Sequence, residues 1–183
     1  MKKTLKVIGI SILILLLFRG FIYRLLINYS EIGERTEIII TNQKLINKIE
    51  SCSANKKINF EQIIRIANSV TNEELKFTTN KTSNNPNDLI NTNYANCIGY
   101  SAMFNSVANY LIKENELVQI IESRQKIGKL DLLGIDLHGF FKSSFFKDHD
   151  YNEIKNLETE EIILIDPSVS DYLWIKKVSS NHR

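Results

Sequence analysis

Three side chains of the 183-residue sequence have the types that acyl chemistry at a thiol needs: Cys97, His149 and Asp166. Cys97 stands where a helix should begin. Asn96 before it is a strong N-cap type, able to accept a bond from an orphan backbone N–H. Behind it Ile98, Ala102, Met103, Val107 and Leu111 recur at helical spacing, with Phe104 and Ala108 beside them. A cysteine in a first turn feels the partial positive charge of the helix end, which favours thiolate over thiol. Gly99 and Ala102 are small and let another segment approach. From His149 on, extended geometry puts His149, Tyr151 and Glu153 on one face and Asp150, Asn152 and Ile154 on the other. Asp166 follows the very apolar strand 161–165, which Pro167 stops because proline has no N–H for a ladder. The two strands read as an antiparallel hairpin with His149 and Asp166 at matching ends. Such a set supplies a nucleophile, a base and an orienting carboxylate. The thiolate attacks a carbonyl, the imidazole passes the thiol proton to the leaving amine, and the carboxylate steadies the imidazolium. Unpaired N–H groups at the helix start supply the oxyanion site.

Each residue also has a purely structural use. Cys97 fits a core helix as a buried cysteine. His149 fits a surface strand between Asp148 and Asp150, and Asp166 fits a turn before Pro167. His138, beside Gly139, competes for the role of base. Cys52 has no C-x-x-C partner, so it is a bystander or a disulfide partner of Cys97, the latter needing an oxidising compartment. No metal-ligand spacing and no cofactor motif is present.

The elements that must position these residues begin with a different material. Lys2 and Lys3 precede an apolar run over residues 7–18, the layout of a signal sequence or anchor. The run reaches the length of about 20 residues that a span needs only by continuing past Arg19 and Arg24. It is apolar all round and lacks a small-x-small cleavage site, so residues 1–28 read as a retained single-pass membrane anchor rather than a cleaved signal or a core helix. Basic residues on both sides leave its orientation open. Five of the 23 basic residues precede Glu31, and the remainder carries 18 against 21 acidic ones. That mildly acidic body, without a basic stripe, argues against a nucleic-acid partner. Hydrophobic content of 43% permits a packed core.

Residues 29–59 read as a linker or stalk, within which 37–47 is either a short helix against the core or a membrane-proximal stalk, and 60–183 as the domain. Within it, 60–77 predicts a helix with Ile63, Ile64, Ala67 and Val70 inward, and the Asn-rich 78–93 a loop walling a cleft. Residues 117–121 predict a strand, and 130–146 the other wall. Tyr172, Leu173 and Trp174 are expected to pack at the close of the domain.

Cys97-x-Gly99-Tyr100-Ser101-Ala102, then His149-Asp150-Tyr151-Asn152-Glu153-Ile154, then Ile163-Leu164-Ile165-Asp166-Pro167-Ser168 resembles the transglutaminase-like superfamily. That family shows a C-x-G-x-[AS] helix start, a His-x-aromatic strand and an apolar strand ending in Asp-Pro-[ST], in this order. The resemblance covers roughly residues 60–173; Tyr151 stands where the family often has Trp. It implies an α+β, papain-like core with the nucleophile helix packed on a small antiparallel sheet. By carry-over Cys97 is nucleophile, His149 general base and acid, and Asp166 the orienting carboxylate. The implied activity is hydrolysis or acyl transfer on peptide or protein amides, with no metal and no cofactor. Tyr94 and Asn96 are the candidates for a side-chain oxyanion donor. The competing function is a binding or scaffolding module that keeps the fold without the chemistry.

Overall fold

A computed structural model of the chain describes residues 2–140 and 147–181. The first half comprises α1 (Lys2–Leu26), β1 (Ile27–Glu34), α2 (Gln43–Ser53), α3 (Phe60–Glu74), β2 (Lys76–Phe77), α4 (Pro86–Thr92), β3 (Tyr94–Ala95) and α5 (Cys97–Glu114). The second comprises β4 (Ile121–Leu132), β5 (Ile135–Asp136), a 3-10 turn (Leu137–Phe140), β6 (His149–Asn156), β7 (Ile162–Ile165), α6 (Pro167–Leu173) and β8 (Ser179–Asn181). The fold is α+β. One sheet runs in the order β1-β4-β6-β7-β8, with β5 on the end of β4, and every pairing in it is antiparallel.

Asparagine and aspartate open the helices of the body. Asn42, Asn59, Asn85, Asn96 and Asp166 each accept a bond from an N–H of the first turn. Pro86 and Pro167 follow two of these caps, where a missing N–H costs nothing. This explains much of the Asn richness of 78–93. That stretch is not a plain loop: Asn85-Pro86 starts α4, whose Leu89 and Ile90 are fully buried, and left-handed Asn93 ends it.

α5 lies across β4 and β6, while α3, α4 and α6 also pack on it. It is therefore buried on every side, with Tyr100, Met103, Phe104 and Val107 at zero exposure. α3 presents Ile63, Ala67 and Val70 inward, as its spacing predicts. At Gly99 an added Cβ would lie 2.8 Å from the Ala95 Cβ, so the close approach expected there is real. Gly128 of β4 is tighter: its Cβ would stand 2.7 Å from the Tyr151 ring and 2.9 Å from the Ser30 carbonyl oxygen.

Three further expectations need correction. Residues 29–59 are no linker. β1 is an outer strand of the sheet, and Leu45 and Ile49 of α2 are fully buried in the core. The polar sequence of β1 hid it, because its partner lies about a hundred residues away. Residues 117–120 form a turn: the Leu117 N–H donates back to the Ile112 carbonyl at the end of α5, and the strand starts at Ile121. Leu173 and Trp174 do not pack inward, being 43% and 69% exposed; Tyr172, 53% exposed, sets its ring edge-on against Phe77 at 5.3 Å, and Ser170, Ile175 and Val178 close the domain. The expected anchor falls partly on side chains outside the described set, as does the cleft wall over 141–146. Among the described residues no helix is long and apolar enough to cross a membrane.

Candidate active site

Asn96 caps α5 by accepting from the Gly99 N–H at 3.2 Å, which fixes Cys97 as the first helical residue. β6 begins at His149. Its register against β7 pairs Asn152 with Ile165, so Asp166 stands one step past the last pair, at the His149 end. The hairpin thus brings the ring and the carboxylate together, and the packing of α5 on β6 brings the sulfur to them. His149 Nε2 donates to Asp166 Oδ2 at 2.5 Å. Cys97 lines the same cleft as this ring, and its sulfur is among the groups that raise the imidazole. With Nε2 taken, Nδ1 is the nitrogen left for the sulfur. All three predicted site residues meet.

The carboxylate is fully buried and fully partnered. Oδ1 accepts the Ser168 hydroxyl at 2.6 Å and the Val169 N–H at 3.1 Å. Oδ2 accepts the Tyr29 hydroxyl at 2.8 Å besides His149. A carboxylate only accepts, so Tyr29 spends its proton on Asp166 and must receive one from Tyr23, whose hydroxyl lies 2.7 Å away. A hydrogen-bonded path therefore runs from the last turns of α1 to the ring of His149.

Burial would push Asp166 up, but the His149 charge and bond, with those of Ser168 and Val169, hold it below the usual carboxylate range. Burial would likewise pull His149 down. The Asp166 charge and bond outweigh it, aided by the Cys97 sulfur, and hold the imidazole well above its ordinary value. Burial first, then the Asp166 charge, push the Tyr29 phenol well up, so it remains a donor.

A second buried carboxylate braces the other side. Asp150 has no exposed surface and takes Arg35 Nε at 2.7 Å, Arg35 Nη2 at 3.0 Å and Gln125 Nε2 at 2.7 Å. Its own carbonyl accepts the Ser101 hydroxyl of α5 at 2.8 Å. The Asp150 bond chiefly, against burial, raises Arg35, and the Cys97 sulfur is near enough to add to the effect. A fixed cation thus stands in the neighbourhood of the thiol.

Cys97 and His149 line a cleft of about 440 Å³ whose other walls are mostly apolar, among them Phe77, Leu130, Leu137, Tyr172 and Leu173. His138, the rival base, lines it too, but the ring that holds Asp166 belongs to His149. Cys52 and Cys97 are both free, so the disulfide alternative does not hold. Tyr94 is 51% exposed and outside this lining, and the Asn96 side-chain oxygen is used by the cap. The backbone N–H groups of Cys97 and Ile98, which the cap leaves aside, are the oxyanion donors on offer. Among the described residues no cluster of His, Cys, Asp or Glu could hold a metal ion.

Sequence reasoning missed Tyr29, Tyr23 and Arg35. Nothing local marks them: two lie beside or within a stretch that reads as a linker, and their partners are more than a hundred residues away. Comparison of the chain with family models, with curated proteins and with solved structures finds no match.

Proposed function

We propose that the chain is a membrane-anchored, transglutaminase-like thiol enzyme that hydrolyses peptide or protein amide bonds or transfers their acyl groups. The observation that carries this reading is that Cys97 and His149 share the wall of one cleft, with His149 Nε2 2.5 Å from the buried Asp166.

In the first half-reaction the Cys97 sulfur bonds to the amide carbonyl carbon. The carbonyl π pair moves to oxygen and is held by the N–H groups that open α5. As the pair returns, the C–N bond breaks and His149 hands its proton to the leaving amine. A thioester on Cys97 remains. Water or a second amine, deprotonated by His149, then attacks it and frees the thiol. Asp166 balances the imidazolium throughout and fixes which ring nitrogen faces the sulfur. Tyr29 and Ser168 fix Asp166 in turn, and Arg35, held by Asp150, places a positive charge in the neighbourhood of the sulfur. No step calls for a metal or a cofactor.

The anchor reading rests on the sequence of residues 1–28 and on α1, whose side chains from Leu13 to Phe18 are all exposed. An exposed apolar stretch of this kind marks an interaction surface, and the basic head before it suits a membrane as the partner.

The test is capture of the thioester. Detergent-solubilised full chain is incubated with a panel of peptidyl aminomethylcoumarin amides, with and without hydroxylamine, and analysed for coumarin release and intact mass. The expected result is release with an acyl adduct on Cys97, lost in Cys97→Ala. Turnover that survives Cys97→Ala would end the proposal.

A further inference from the structure

The C-terminal part of α1 is fixed to the body at two places, and both border the cleft. On one side the Leu133 N–H donates to the Leu26 carbonyl at 3.0 Å, and Ile27 pairs with Leu132. On the other, Arg19 Nε donates to the Leu173 carbonyl at 2.6 Å and its guanidinium lies 5.6 Å from the Trp174 ring centre. Arg24 adds a bond to the Lys177 carbonyl at 3.2 Å. Leu130 and Leu137 line the cleft near the first attachment, Tyr172 and Leu173 near the second. The root of the helix and the mouth of the cleft therefore share one end of the body.

That end is apolar where it meets solvent. Leu133, Ile135, Phe140 and Trp174 are 68%, 56%, 72% and 69% exposed, and Phe21 and Leu25 of α1 are 61% and 64% exposed. It is also cationic. A groove of about 370 Å³ between α1 and the chain after α6 is walled by Arg19, Arg24, Trp174, Lys176 and Lys177. Among the described residues no carboxylate lines it. Lys177 is paired with Glu61 at 2.8 Å. The described bonds of Arg19 and Arg24 go to backbone carbonyls, which leave their charges unneutralised, and Lys176 is exposed. Exposed aromatic and aliphatic side chains at one level with uncompensated cations suit the negatively charged interface of a bilayer.

Length decides where that interface falls. The uninterrupted apolar run, residues 7–18, is about 18 Å long at 1.5 Å per residue, against about 30 Å of hydrocarbon. Arg19 ends that run, so the hydrocarbon boundary falls at Arg19, where the bonds above hold Leu173 and Trp174, and the short span is met by local thinning of the bilayer and by snorkelling of the basic side chains.

We propose that this end of the body lies on an anionic phospholipid surface, with Arg19, Arg24 and Lys176 at the headgroup phosphates, Trp174 in the interface and the cleft opening along the membrane. The inference rests on α1 being an anchor and not on the triad. Its consequence is that an amide reaches Cys97 along the membrane surface rather than from bulk water.

Trp174 is the sole tryptophan, so its emission reports this one place. The full chain is reconstituted into phosphatidylcholine vesicles with brominated acyl chains, with or without phosphatidylglycerol, and floated in high salt to test the anchor. Docking predicts that the chain stays with the vesicles, that brominated chains quench Trp174, and that phosphatidylglycerol increases the quenching. Each of Arg19→Gln, Arg24→Gln and Lys176→Gln should lower the docked-to-undocked ratio about fivefold in the anionic vesicles. Lys176→Gln serves where the arginine variants fail to fold, since Lys176 makes no described bond. Trp174 that stays accessible to acrylamide and indifferent to bromolipid, in a chain that high salt does not release, overturns the docking and leaves the anchor standing. A chain that washes off overturns both.

Discussion

His149 carries the account at the scale of single residues, because every other group acts through it. Its charge is stabilised by a buried carboxylate that already has four partners, so Asp166 has little freedom to leave. Replacing Asp166 by Asn keeps the size and removes the charge. With its chief counter-charge gone, burial governs the ring. An NMR titration should find the His149 pKa displaced acidward from its raised wild-type position; an unmoved value would contradict the pairing. Tyr29→Phe removes one donor to the same oxygen at a cost of about 1 to 2 kcal/mol. It should also displace the pH profile of Cys97 alkylation, which a merely structural loss would leave in place. The direction is set by Asp166: with fewer donors its charge is less delocalised, it holds the His149 proton more tightly, and the alkaline limb moves up.

At the scale of elements, the chemistry depends on β1 and α5 being held against β4 and β6. Gly128→Ala forces a methyl into the Tyr151 ring and the Ser30 carbonyl. Overpacking of that kind costs about 1 to 3 kcal/mol, readable as a lower unfolding midpoint. Arg35→Ala leaves Asp150 buried with Gln125 alone and should cost about 3 kcal/mol or more; an unchanged midpoint would show that the pair is dispensable. These elements differ in how far the sequence reveals them. The Asn96 cap, the inward face of α3 and the hairpin of β6 and β7 are short-range patterns, so the positions of Cys97, His149 and Asp166 could be read directly. β1 is set by pairing with a strand about a hundred residues on, and its own residues alternate poorly. Tyr29 and Arg35 became visible only once that pairing placed them. Trp174 misled for the opposite reason: an aromatic near the end of a domain usually packs, and here it faces outward beside α1.

For the whole molecule, the site and the root of α1 are one structure. The Tyr23–Tyr29–Asp166 path means that the segment nearest the proposed membrane takes part in ordering the base. Stability should carry the same signature through pH. His149 is raised above its ordinary 6.5, so its contribution is complete below that value and is lost as pH rises through the folded pKa. Asp166 is lowered below its ordinary 3.8, so its contribution is present above that value and is lost as pH falls through the folded pKa. The gap in thermal midpoint between the natural chain and His149→Ala should therefore be widest between these two ordinary values and narrow on the alkaline side. The most direct test of the triad uses the two free thiols of one chain against each other. Iodoacetamide is added to the full-length protein at pH 6, and the alkylation rates of Cys97 and Cys52 are followed by peptide mass spectrometry. Cys97 should react faster than Cys52 and lose that advantage in His149→Ala. Equal or slower reaction at Cys97, unchanged by the loss of the imidazole, would contradict the triad.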